Sequence, residues 1–240
     1  MNAPHGLDIV DRCVDCQVRF SRLFCDLPLD ALKTLDTIKY TSSFPKGAIL
    51  FFEGHSPRGV FIICKGRVKL STCSSEGKVL ITQIASEGEV IGLSAAVSGV
   101  SYEVTAETLE RCVVNFVRCD DFLRFLTKHG EACLRVAQHL SHDYHSVYRK
   151  VRSLGLSTSA AEKLASLILD WVARDGKPTE QGTQIRLTLT HEEIGQMIST
   201  SRETVTRLLS DFKKESLIHI KGANLVVRDQ KGLELLSRKF

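Results

Sequence analysis

Near the carboxy-terminal end, Arg202, Glu203, Thr206 and Arg207 carry polar heads that recur on one side of a helical repeat, while Val205, Leu208, Leu209 and Phe212 recur on the other. An arginine donates bidentately to guanine O6 and N7, and a glutamate accepts from the cytosine amino group. These residue types therefore suit the reading of G·C pairs in a major groove. The same stripe also suits a solvated helix face, because charged faces of this kind are common. A second set of candidates lies at the other end. Cys13 and Cys16 form a Cys-Val-Asp-Cys pair, and Cys25 follows after eight intervening residues. Two thiolates at that spacing can reach one metal, and the third must fold back to join them; three do not close a site.

The elements that must position these groups are legible at the carboxy-terminal end. Thr190 and Glu193 have capping-box spacing ahead of one short helix, and Thr200 or Ser201 can cap a second that carries Arg202 to Glu215. Two helices joined by a tight polar turn make a helix-turn-helix, with polar residues at the start of the second helix, where groove reading requires them. Glu203 has two roles open to it: it can read a base, or it can cap its own helix as the third residue after Thr200. After the second helix, Leu217 to Val227 alternates around Lys-Gly-Ala-Asn, as a two-stranded wing would.

From Thr188 to Asp229 the chain resembles the winged helix-turn-helix of the CRP/FNR family of bacterial transcription regulators, most specifically in Arg-Glu-Thr-Val-Thr-Arg at 202 to 207. The resemblance implies a homodimer that binds palindromic double-stranded DNA, with RNA polymerase as a further partner. Thr190, Ser201 and Thr204 complete the set expected at the DNA. Arg202, Glu203 and Arg207 resemble the arrangement that CRP-type members use for a TGTGA-like half-site. FNR-type members lack the first arginine and carry serine where this chain has Thr206, so a hybrid half-site is expected.

Residues 39 to 116 are β-rich runs punctuated by glycine: Ala48-Ile-Leu-Phe-Phe, Val60-Phe-Ile-Ile-Cys, Val68-Lys-Leu-Ser-Thr, Val79-Leu-Ile-Thr-Gln and Cys112-Val-Val-Asn-Phe. Such spacing predicts a small antiparallel barrel or roll. Phe-Pro-Lys-Gly, Glu53-Gly54 and Ile-Cys-Lys-Gly-Arg-Val-Lys-Leu resemble the cyclic-nucleotide-binding β-roll of the same family. In nucleotide-binding relatives a Gly-Glu-Leu segment receives the ribose and an Arg-Ser pair holds the phosphate. Here the matching positions are Gly92-Leu93-Ser94 and Val100-Ser101, so a carboxylate is replaced by Leu93 and a guanidinium by Val100, with Glu103 nearby to repel an anion. Cyclic AMP is therefore not expected as a ligand. A metalloenzyme roll is disfavoured too, because His55 is the one histidine between 39 and 116.

The resemblance also bears on the cysteines. FNR-type oxygen sensors hold a four-iron, four-sulfur (4Fe-4S) cluster with three amino-terminal cysteines and one on the roll. Cys112 follows Ala106-Glu-Thr at the interval of that fourth ligand, which implies Cys13, Cys16, Cys25 and Cys112 as the cofactor and metal ligands. The spacing from Cys16 to Cys25 exceeds the FNR pattern. By themselves the residues equally suit a metal-free patch, a structural zinc or a thiol switch. Cys64, Cys73, Cys119 and Cys133 are expected as packing thiols.

Ahead of the roll, Leu27-Pro-Leu-Asp-Ala-Leu-Lys-Thr-Leu predicts a short helix entered at proline. Residues 119 to 156 predict helix, with Cys133, Ala137, Leu140, Tyr144, Val147, Val151 and Leu154 alternating by four and three as one seam. We expect Ala137, Leu140, Tyr144, Val147, Val151 and Leu154 to pair two subunits; packing against the helix's own domain is the other reading. His139, His142 and His145 fall at successive threes and suit solvated or packed positions. Leu156-Ser-Thr-Ser breaks the period as a hinge. The organisation expected is α+β: a cysteine-bearing segment (1–27), a double-stranded jelly-roll sensor (28–118), a long dimerisation helix region (119–157) and a winged helix-turn-helix (158–240).

Composition sets the outer bounds. The 240 residues are 43% apolar and 25% charged, with a net charge of +4, which is ordinary for a globular protein of two domains. From Thr183 onward ten Lys/Arg face seven Asp/Glu, so phosphate contacts must come from placement and not bulk charge. The amino terminus has no apolar signal core, and no run approaches the roughly 18 apolar residues of a membrane span. A cytoplasmic protein is expected, in which eight cysteines do not form a disulfide framework.

Overall fold

The computed structural model describes residues 12–16, 19–21, 24–156 and 159–237, without the side chains of 21, 153, 154 and 156. The amino-terminal octapeptide, the side chain of the seam residue Leu154 and the hinge residues 157 and 158 lie outside the described residues. The chain forms two compact units, one ending at Ser146 and the other beginning at Val147.

The first unit opens with 3₁₀ turns at Cys13–Asp15 and Arg19–Ser21 and continues through α1 (Leu29–Ile38), which Pro28 introduces. The strands β1 (Lys39–Phe44), β2 (Ile49–Phe51), β3 (Gly59–Lys65), β4 (Val68–Cys73), β5 (Val79–Ala85) and β6 (Val90–Ile91) follow. A short helix α2 (Leu93–Ser98) precedes β7 (Thr105–Thr108) and β8 (Cys112–Arg118). The eight strands build two antiparallel sheets, ordered β1-β8-β3-β6 and β2-β7-β4-β5.

Strand alternation divides the first sheet between two cores. Phe61, Ile63, Cys112 and Val114 point between the sheets, joining Phe51, Tyr102 and Ala106. Val60, Ile62, Val90 and Val117 point outward and meet Leu32 and Leu35 of α1. Phe122 and Phe125 of α3 (Cys119–Lys128) and Ala132 and Val136 of α4 (Gly130–Leu156) close that second core. The expected helix from 119 to 156 is thus two helices, broken at His129.

At Gly66, φ is +90°, and a Cβ there would meet the Arg111 carbonyl oxygen at 2.6 Å and Cys112 Sγ at 2.7 Å. The turn from β3 to β4 therefore needs glycine both for its dihedral and for the close approach of β8.

The second unit takes in α5 (Ala160–Asp175), β9 (Lys177–Thr179), β10 (Gly182–Arg186), α6 (His191–Ile198), α7 (Arg202–Lys214), β11 (Ile218–Lys221), β12 (Asn224–Val227) and α8 (Gln230–Ser237). Ser159 caps α5 by accepting the Glu162 N–H. The wing expected over 217–227 forms as β11 and β12, but within a four-stranded sheet ordered β11-β12-β10-β9. The added hairpin was hidden by its short, polar strands, which lack a clear apolar alternation. Roll, long helix and winged helix-turn-helix are all present, so the α+β fold class is as expected. Among the described residues no helix is long and apolar enough to cross a membrane.

Candidate functional site

The helix-turn-helix is built from short-range bonds. Thr190 accepts the Glu193 N–H, and the Glu193 carboxylate accepts the Thr190 N–H at 2.8 Å, so the capping box at the start of α6 forms as its spacing implies. At its end Ser199 adopts a left-handed conformation (φ 54°), and the Thr200 N–H donates to the Gly195 carbonyl at 2.9 Å. A Cβ at Gly195 would meet the Thr200 carbonyl oxygen at 2.7 Å, so the turn closes because this position is glycine.

Of the two candidate caps for α7, Ser201 takes the role, accepting the Thr204 N–H at 3.2 Å; its hydroxyl also lies 3.2 Å from Thr204 Oγ1. Glu203 is thereby the second helical residue. Its own backbone N–H, and then the Ser201 side chain, hold its carboxyl below the usual range. Ser201 and not Thr200 is therefore the cap, and the alternative of Glu203 as third residue after a Thr200 cap does not hold.

Val205, Leu209 and Phe212 are buried in the second unit, and Leu208 is half-buried. The opposite face exposes Arg202, Glu203, Thr206, Arg207 and Ser210, which line an open groove of about 500 Å³ with Lys214. Thr206 donates to the Arg202 carbonyl at 2.9 Å and lies 2.8 Å from His191 Nδ1. Its hydroxyl hydrogen is thus committed, which leaves a lone pair and the methyl group to face outward. The His191 contact ties the start of α6 to α7. Its only signal in the sequence was a histidine at a helix start, with nothing to name its partner. Thr190 and Ser201 likewise spend their hydroxyls on capping.

The cysteines are arranged differently from expectation. Cys112 is wholly buried between the two sheets, with Sγ 3.4 Å from the carbonyl oxygens of both Arg67 and Glu110, and burial pushes its thiol up to about 11. Cys13 lies on the other face of the same sheet, where its Sγ accepts from Asn115 Nδ2 at 3.7 Å. Asn115 is three residues along β8 from Cys112, an odd offset, so their side chains point to opposite faces. The Cys13 N–H donates to Asp36 Oδ1 at 2.7 Å, and the same oxygen lies 3.1 Å from Lys39 Nζ. Burial pushes the Cys13 thiol up to about 12.

Cys16 shares the 3₁₀ turn of Cys13, donating its N–H to the Cys13 carbonyl, and Cys25, like Cys13, packs against the outer core. Among the described residues no three His, Cys, Asp or Glu side chains are grouped to hold a metal ion. Cys13, Cys16, Cys25 and Cys112 therefore do not fit a single four-iron cluster here: the strand pleat turns the fourth thiol away from the first. Of the expected packing thiols, Cys64 and Cys119 are half-buried, whereas Cys73 and Cys133 are exposed.

The nucleotide positions follow their side-chain chemistry. Leu93 is buried in the outer core, Val100 is exposed, and Ser94 donates to Glu103 at 2.7 Å. Inside the roll, Tyr102 stacks on Phe51 at 4.0 Å and donates to the Gly59 carbonyl at 2.7 Å. On α4, Ala137, Tyr144, Val147 and Val151 are exposed, with Tyr144 at 67% and Val151 at 62%. Leu140 departs from this expectation and packs partly against the core of its own unit. Leu134 and Tyr148 are exposed apolar residues that the seam omitted; Leu134, three before Ala137, lay within reach of the same period. His139 is buried, taking the Val90 N–H on Nε2 at 3.3 Å and meeting Asp143 through Nδ1 at 3.2 Å, while His142 and His145 are exposed.

A capped helix-turn-helix with a wing, a basic outward face and a β-roll ahead of it define a transcription regulator of the winged-helix class. Residues 162–236 match the Crp-like helix-turn-helix domain and residues 41–129 the cyclic nucleotide-binding domain. The chain belongs to the CRP/FNR family of transcription regulators. It is 28% identical over 228 residues to Electron transport regulator A of Shewanella oneidensis, covering 94% of this chain and 90% of that protein. It is 27% identical over 225 residues to Transcriptional activator protein FnrA of Stutzerimonas stutzeri, covering 92% and 90%. Among solved structures, FixK2 from Bradyrhizobium japonicum shares the fold with a TM-score of 0.75 at 20% identity, over 85% of this chain and 99% of that one. A CooA mutant from Carboxydothermus hydrogenoformans gives 0.74 at 22% identity, over 85% and 90%. The matched proteins are regulators, not enzymes.

Proposed function

We propose that this regulator binds a roughly palindromic double-stranded DNA site as a homodimer, with α7 of each subunit in a major groove and half-sites about 34 Å apart. One observation carries the reading: Arg202, Glu203 and Arg207 share the exposed face of a helix whose other face is buried. Thr190, Ser201, Thr204 and Thr206 flank them at the groove. The exposed apolar positions Ala137, Tyr144, Val147 and Val151 of α4, with Leu134 and Tyr148, support pairing of two chains. In this reading 28–118 is the sensor, 119–157 the dimerisation region and 158–240 the DNA-binding domain, working in the cytoplasm with RNA polymerase as a partner. Fluorescence anisotropy on duplexes selected from a random pool is the test. Affinity should fall steeply with salt and depend on half-site spacing; binding indifferent to both would refute it.

Cyclic AMP is not the signal of this regulator. Leu93 and Val100 offer a phosphate and ribose no charge-assisted bond, and Glu103 faces the same place. Calorimetry should detect no binding of cyclic AMP, and micromolar affinity would overturn this. Names such as Electron transport regulator A, and Anaerobic regulatory protein in Haemophilus influenzae, favour a redox-linked signal instead.

A further inference from the structure

The hydroxyl of Thr206 makes both of its bonds inside the protein. The Arg202 carbonyl can only accept, so the contact between them at 2.9 Å takes the hydroxyl hydrogen. The contact with His191 Nδ1 at 2.8 Å must then run the other way, from Nδ1–H to the hydroxyl oxygen. His191 therefore carries a proton on Nδ1, as that neutral tautomer or as the imidazolium. The oxygen is tied to its own helix on one side and to the first residue of α6 on the other. These bonds also choose a rotamer. Threonine in a helix splits between two χ1 wells, because its hydroxyl can bond a carbonyl of the preceding turn, whereas valine keeps largely to one. His191 approaches from one side only, so its bond selects the well that Thr206 occupies.

Thr206 lies exposed beside Arg202, Glu203, Arg207 and Ser210, and of these five side chains it alone carries a methyl group. Its hydroxyl has no hydrogen left to give to guanine O6 or N7, adenine N7 or thymine O4. Thymine is the base that shows an apolar group, its C5-methyl, in the major groove. We propose that Thr206 reads a thymine of the half-site through its methyl group, and that His191 is the positioning residue that holds this methyl toward the groove. The inference rests on α7 lying in a major groove, and it adds a particular base and a residue of the neighbouring helix to that reading. The remaining lone pair of the hydroxyl can only accept, from adenine N6 or cytosine N4. Such a bond does not involve a thymine methyl, so the two contacts separate by experiment.

The test titrates the full chain against its selected duplex and against copies in which one thymine at a time is replaced by deoxyuridine, which removes only the C5-methyl. At one position the substitution should weaken binding about fourfold, the transfer value of a single methyl group. The ratio of the two affinities does not depend on how much of a preparation is folded. Thr206→Ser keeps the hydroxyl and should bring that ratio to one. Thr206→Val supplies a methyl in the well that valine prefers and should preserve it. His191→Ala should lower the ratio in the parent chain but not in the Thr206→Val background, where the rotamer needs no histidine. An unchanged ratio in His191→Ala, or an equal loss in both backgrounds, would overturn the positioning role. If no thymine is sensitive, or the sensitivity survives Thr206→Ser, the methyl contact is wrong while α7 still reads DNA. Failure to bind any duplex would remove the groove reading itself, and this inference with it.

Discussion

The helix-turn-helix and the cysteine set differ in how far apart their determinants lie. Everything that shapes α7 is local: Ser201 caps it three residues from Thr204, Gly195 admits the Thr200 carbonyl, and a 3.6-residue period separates Leu209 from Arg207. The cysteines needed convergence from opposite ends of a domain. Cys112 reaches the position that the spacing implies, but the pleat of β8 decides which way it points, and Cys13 sits beyond the other face. Spacing within one element predicts a surface; spacing across elements predicts only proximity in the chain.

The largest expected effect tests the buried side of α7. Leu209→Ala should destabilise the carboxy-terminal unit by about 2–5 kcal/mol, read by chemical denaturation of the full chain. A change below about 0.5 kcal/mol would mean that the helix presents a different face. On the outward side, Arg207→Ala should leave stability within about 0.5 kcal/mol. It should cost about 1–3 kcal/mol in DNA affinity and relax one base position. Equal weakening on every sequence would reduce Arg207 to a phosphate contact.

The other half of the comparison is open to chemistry and to pH. In native protein a thiol reagent should label exposed Cys73 and Cys133 quickly and Cys112 only on unfolding; rapid labelling of Cys112 would contradict its interior position. Burial raises the Cys112 thiol from 9.0 to about 11 and that of Cys13 from 9.0 to about 12. An unfolded chain loses these protons from about pH 9 while the folded chain keeps them, so the unfolded state binds fewer protons in that window. Their stabilising contribution is therefore complete below pH 9 and declines as pH rises through 9 to 11 and 12. Cys112→Ser should flatten the fall between pH 9 and 11. An unchanged slope would mean that the thiol titrates alike in both states.

The sequence alone determined the roll, the long helix, the winged helix-turn-helix and the face of α7, because apolar period and capping act over a few residues and leave their mark at fixed intervals. It also put Ala137, Tyr144, Val147 and Val151 on one stripe of α4 that is exposed, although Leu140 turned toward its own core. Only the tertiary structure decided that Ser201 and not Thr200 caps α7, and that His191 reaches Thr206. It alone placed β9 and β10 in the wing sheet, and Cys112 on the face of β8 turned away from Cys13. The cap was open because adjacent Thr200 and Ser201 both suit it; the others depend on a partner distant in the chain, and in a strand a one-residue change of register inverts the answer.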